Sequence, residues 1–140
     1  KKYGVLAPQT VGMRAWFAET ALSAKRYAQA RDEFAEVYAH CDDGGRGSRL
    51  DCGSFALGAA EAELTLGDLP ATRRWLDLAA RDVPPDVWRA SLVGLLQAEL
   101  DARVVGSEQS KRFARQQLAR LEGDASVPPY VVARARARIH

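Results

Sequence analysis

The sequence predicts an all-α fold made of successive helical hairpins, and three observations lead there. Apolar residues recur at helical spacing, as at Tyr27, Ala30, Phe34, Val37 and Tyr38, which fall on one face of a 3.6-residue helix. Glycine and proline punctuate the chain at Gly67, Pro84, Pro85, Gly106 and Gly123, each a place where a helix of ordinary length would stop. No β-alternating run of convincing length occurs in the sequence.

Taken in order, VGMRAWFAETALSA reads as a first helix, with Met13, Trp16, Phe17 and Leu22 as its apolar bulk and Lys25-Arg26 at the turn. The stripe from Tyr27 to Tyr38 is the second, and two helices with so short a connection form an antiparallel hairpin. After a glycine-rich stretch, SFALGAAEAELTL is a helix that Gly67-Asp68 ends. LPATRRWLDLAARD follows with Pro70 in its first turn and Leu69, Thr72, Leu76 and Ala79 on one face. DVWRASLVGLLQAELDARVV runs to Gly106, Ser107 is placed to cap the next helix, and Ala114, Leu118 and Leu121 mark the buried stripe of EQSKRFARQQLARLEG. PPYVVARARARIH reads as a last helix, the first of a further unit.

The bulk properties agree with one packed domain over residues 1–140. Apolar residues make up 47% and charged residues 27%, which excludes a disordered chain. The formal net charge of +2 gives no whole-chain signature of a nucleic-acid binder. No apolar run approaches the roughly 18 residues of a membrane-spanning helix, so no membrane insertion is expected. The opening KKYGVLAPQT has neither an initiator Met nor the pattern of a secretory signal, and it reads as a cut from a longer protein.

A recurring helix–turn–helix calls for self-comparison. Aligning KRYAQARDEFAEVY with GDLPATRRWLDLAA sets Tyr27 on Leu69, Ala30 on Thr72, Phe34 on Leu76 and Val37 on Ala79. With Gly67-Asp68 at the turn, Pro84 at the close, and Ala18 and Ala60 where two helices must approach, the chain from residue 11 to 122 resembles the tetratricopeptide repeat family. The resemblance implies a short right-handed α-α superhelix of about three hairpins, with units near 11–40, 53–84 and 86–122 and a C-terminal helix at 128–140. Thr72 departs from the family's usual alanine, and Trp75 lies beside the stripe, placed to face the next unit. Tyr27 and Leu69 are 42 positions apart, more than the family's period of roughly 34. The third unit aligns through Gly94 when read from Pro84 and through Ala102 when read from Gly106.

The excess length sits in HCDDGGRGSRLDC, residues 40–52, an insertion between units. Four readings of it stand side by side. Cys41 and Cys52, the chain's two cysteines, bracket the insertion and could form a disulfide, or both could be free thiols on helix ends. Zinc would take His40, Cys41 and Cys52 with Asp42, Asp43 or Asp51, a spacing that matches no standard pattern. Nucleophilic catalysis by Cys41 with His40 lacks a third group, and GGRGS lacks the lysine of a phosphate-binding loop. A disulfide would imply an oxidising compartment, a bacterial periplasm or the extracellular space, and free thiols the cytoplasm.

Charge divides between the helices. The first helices of the units carry Glu19, Glu61, Glu63, Glu99 and Asp101, the second Arg31, Arg73, Arg74, Lys111, Arg112, Arg115 and Arg120. In the family resembled, the first helices line a concave groove that receives a peptide or partner. The resemblance therefore implies a groove of Glu19, Leu22, Ser23, Leu57, Glu61, Leu64, Thr65 and Glu99. The bland reading of these charges is a solvated face. An acidic lining speaks against the basic clamp with which some members hold a terminal carboxylate, and favours a basic or amphipathic protein or peptide partner. The ARARAR run at 133–138 reads as a solvated cap or a contact with a continuation, and not as a nucleic-acid site, because Arg136 points away from the face shared by Arg134 and Arg138. No constellation of acid, base and nucleophile is visible, so the expected function is a non-enzymatic interaction scaffold without cofactor or metal. The alternative is a sensory or assembly region of a larger regulator, secretion component or enzyme.

Overall fold

The computed structural model describes residues 8–43, 49–85 and 87–139. Among them are seven helices and no strand: α1 (Pro8–Ser23), α2 (Tyr27–Asp43), α3 (Arg49–Leu66), α4 (Leu69–Asp82), α5 (Trp88–Val105), α6 (Glu108–Glu122) and α7 (Pro129–Arg138). The all-α class is thus observed. No helix among the described residues is long and apolar enough to cross a membrane. The chain divides into two compact units, Lys1–Asp82 and Val83–His140.

In the first unit α1 packs on α2, and α3 packs on both α2 and α4 while also touching α1. The core gathers Ala18, Ala21 and Leu22 of α1, Ala30, Phe34 and Val37 of α2, and Ala59 and Ala62 of α3, with Tyr27, Phe55 and Trp75 against it. Small residues let the helix axes come close. Gly58 is such a place, because a β-carbon there would lie 2.5–2.6 Å from three ring atoms of Phe34. Within this unit the two hairpins repeat each other at the offset seen in the sequence. Ala18 and Ala60, Leu22 and Leu64, Ala30 and Thr72, Phe34 and Leu76, and Val37 and Ala79 are pairwise buried.

The turns repeat as well. At the end of α1, Arg26 N–H donates to Ala21 O and Lys25 N–H to Leu22 O; at the end of α3, Asp68 N–H donates to Glu63 O and Gly67 N–H to Leu64 O. Both are Schellman caps, which require one residue in the left-handed region. Gly67 supplies it at φ 91°, whereas the first hairpin puts Lys25 there at φ 65°. Asp68 then serves the next helix, its Oδ1 accepting from Ala71 N–H at 3.0 Å.

Helices α2 and α3 run further into the 40–52 segment than periodicity alone suggests. α3 starts at Arg49 with Asp51 in its first turn, where a negative charge suits the helix dipole. The GGRGS stretch and the side chains of Asp42 and Asp43 lie outside the described residues.

In the second unit α6 packs against α5 and α7 against α6. Ser107 caps α6 as the sequence suggests, accepting from the N–H groups of Gln109 and Ser110, and Gly106 ends α5 in the left-handed conformation. The buried stripe of α6 is Ala114, Gln117 and Leu121. Gln117 takes the interior place expected for Leu118, which is half-buried, and its side chain lies against Gly94 of α5.

Candidate functional site

The eight expected groove residues fall into three environments. Leu22, Leu57, Leu64 and Glu61 are buried, at 1%, 3%, 0% and 4% exposure, so they pack the first unit. The reason is the position of α3. With α2 and α4 on either side and α1 touching it, every residue from Ala56 to Leu64 is buried, and the middle of this helix keeps no open face. Glu19, Ser23 and Thr65 are reached by solvent, and Thr65 Oγ1 donates back to Glu61 O at 3.0 Å. Glu99 belongs to the second unit.

Glu99 is neutralised where it stands. Arg138 donates from Nε to Oε1 at 2.7 Å and from Nη2 to Oε2 at 3.0 Å, and Arg103 adds a bond to Oε2 at 2.9 Å. The Arg138–Glu99 side chains are only 11% and 14% exposed, a two-pronged pair of the strong, geometrically specific kind. Arg136 Nε reaches Glu122 at 2.8 Å, and Arg134 lies over the Tyr130 ring. The ARARAR run therefore differs from a solvated cap: two of its arginines pin α7 to α5 and α6 through ion pairs.

Cys41 and Cys52 are joined in a disulfide, with Cα atoms 5.8 Å apart. Their sulfurs are consequently neither nucleophile nor zinc ligand. His40 Nε2 instead meets Glu36 Oε2 at 2.9 Å, one helical turn away.

The polar cluster at the α2–α4 contact was not anticipated from sequence. Trp75, expected to face the following unit, stacks edge-to-face on Tyr38 of α2 at 5.4 Å. Arg81 donates to the Tyr38 hydroxyl at 3.2 Å and to both oxygens of Asp82 at 3.1 and 3.0 Å. The Asp82 hydrogen bonds raise the Arg81 guanidinium further above its ordinary value. Elsewhere in this unit burial pushes the Glu63 carboxyl above the usual carboxylate range, against the lowering effect of nearby Arg31.

Two surface features stand out. On α1, Met13, Trp16 and Phe17 are 60%, 63% and 47% exposed at i, i+3 and i+4, on the side away from buried Leu22. Trp16 and Phe17 contact edge-to-face at 5.4 Å. The sequence signals them only as apolar bulk; it does not say that they lie outside. The other feature is a cleft of about 370 Å³ lined from α5, α6 and the end of α7, wholly within the second unit. No family model, no curated protein and no solved structure matches the chain.

Proposed function

We propose that the chain is a non-enzymatic protein-interaction scaffold, built of tetratricopeptide-like hairpins in a short right-handed superhelix, that binds an amphipathic peptide or partner helix. The observation that carries this is the outward apolar face of α1. Isolated exposed apolar residues are ordinary, but Met13, Trp16 and Phe17 occupy one helix face and leave an aromatic pair to solvent. Aromatic side chains and methionine are the types enriched at the buried centres of interfaces. The repeated caps and paired burial of the first two hairpins support the repeat reading, as does the contact of α1 with α3. Glu19 on the same helix favours a cationic partner. The Cys41–Cys52 bond supports work in an oxidising compartment, a periplasm or the extracellular space.

The test is anisotropy of labelled amphipathic helical peptides, cationic and anionic, titrated with the chain and with a Trp16→Ser/Phe17→Ser variant. Saturable binding of the cationic peptide that the variant loses, with helical content unchanged, is the expected result. Absence of saturable binding, or binding indifferent to the variant, overturns the reading.

A further inference from the structure

The cleft in the second unit has a composition that the interaction reading does not use. Four of its lining side chains are cationic, Arg103 on α5, Lys111 and Arg115 on α6, and Arg138 on α7. One lining residue is acidic, Glu99, and its carboxylate is already met by Arg138 and Arg103. Lys111 has only a loose pair with Glu108, 3.5 Å away on the solvent side. Arg115 is exposed and makes no ion pair among the described residues. Lys111 and Arg115 therefore keep the cleft cationic, and a concave low-dielectric wall focuses their charge on the space it encloses.

The floor is apolar. Ala98 and Ala114 are buried beneath the cations, with Ala102 and Ile139 completing the lining. A cleft of about 370 Å³ is at the small end of the volumes that hold organic ligands, which are mostly apolar with a few placed polar groups. A bare inorganic anion would leave the floor wet, and a neutral apolar molecule would leave the cations unanswered. The lining suits one kind of molecule, an apolar body carrying an acidic head. A planar carboxylate matches the guanidinium fork edge to edge, the arrangement that Arg138 already makes with Glu99 in this same wall.

We propose that the α5–α6–α7 cleft is a binding site for a small organic carboxylate with an apolar body, its head held by Arg115 and Lys111 and its body on the alanine floor. This site is independent of the α1 face, since every lining residue belongs to the second unit.

The test uses the full chain, with octanoate as probe and amide chemical shifts as readout. Octanoate should shift α5, α6 and α7 amides and saturate below about 10 mM. Acetate, which lacks the body, and octanol, which lacks the charge, should each bind at least about tenfold more weakly. Lys111→Ala/Arg115→Ala should weaken octanoate by about tenfold or more, while Arg112→Ala, on the same helix but outside the cleft, should not. These are exposed positions, so the fold should persist; Ala102→Leu, at a half-buried lining position, fills the cleft and gives a second route to the same loss. Octanol matching octanoate, no saturable shift in the second unit, or variants that bind as the parent does would each overturn the site. Tighter binding of octyl phosphate than octanoate would overturn the carboxylate assignment of the head.

Discussion

Gly58→Ala should destabilise the chain even though alanine is the better helix former. Gly58 lies within α3, where glycine costs roughly 0.5–1 kcal/mol relative to alanine, so on propensity alone the change would help. The added methyl, however, would meet Cζ, Cε1 and Cε2 of Phe34 at 2.5–2.6 Å, closer than real contacts allow. Turning the ring brings no relief because the carbons on both edges are equally near, and Phe34, 2% exposed, can shift only by displacing the core side chains around it. Overpacking of this kind costs about 1–3 kcal/mol, which leaves a net loss of up to roughly 2.5 kcal/mol after the propensity gain. The decisive comparison places the same change in a Phe34→Ala background. That background is itself expected to lose about 3–5 kcal/mol, but it vacates the contact, and Gly58→Ala should then stabilise by about 0.5–1 kcal/mol. Urea unfolding followed by far-UV circular dichroism, with unchanged slope, reads both signs. If Gly58→Ala stabilises in both backgrounds, the α2–α3 contact does not centre on this glycine and the packing argument fails.

Leu76→Ala, at a fully buried stripe position in α4, should cost about 2–5 kcal/mol, and a loss below about 0.5 kcal/mol in the same assay would misplace the stripe. Lys25→Gly should raise the melting temperature, because a non-glycine residue in the left-handed region costs about 1–2 kcal/mol and glycine's extra unfolded-state freedom returns only part of it; a lower melting temperature refutes the cap assignment. Folded protein made under oxidising conditions should show no alkylatable thiol by mass, and reduction should cost about 2–3 kcal/mol for a ring of this size; two reactive thiols before reduction would exclude the bond. Because burial raises the Glu63 carboxyl in the folded state, that state holds the proton more tightly than the unfolded chain, so this group's contribution to stability falls as pH rises from the ordinary carboxylate value through the raised one. Glu63→Gln should therefore gain stability relative to the parent as pH rises from about 4 to 7. Asp124, lowered by its Ser126 hydrogen bonds and of opposite sign, is common to both proteins and drops out of the difference, and a difference flat with pH would contradict the Glu63 assignment.

The helices, their capping glycines, Ser107 and the two-hairpin repeat are legible in the sequence because each depends on a few neighbouring residues. What faces outward is less so. Met13, Trp16 and Phe17 satisfy a helical stripe as well as Ala18, Ala21 and Leu22 do, and the small residues won the interior because α1 must approach α2 closely. Glu61 reads as a groove charge until α3 is known to be enclosed along its middle. The i,i+4 pair of Glu99 and Arg103 could have been found by spacing, but Arg138, far along the chain, could not. The anionic-ligand cleft depends on that distant arginine and on which sides of α5 and α6 meet, neither of which is a property of a local segment.

The disulfide gives the chain two covalent routes from α2 to α3, one along the backbone through residues 42–51 and one across the sulfurs. The segment it spans is therefore a closed ring hung on the first unit, and opening that ring once does not part the molecule. A protease cut at one bond there should leave a single species of unchanged mobility until reductant is added, whereupon two fragments separate on a denaturing gel. The same ring makes this the natural port for a genetically inserted tag or recognition loop, because α2 and α3 stay tethered to each other whatever length of chain runs between them.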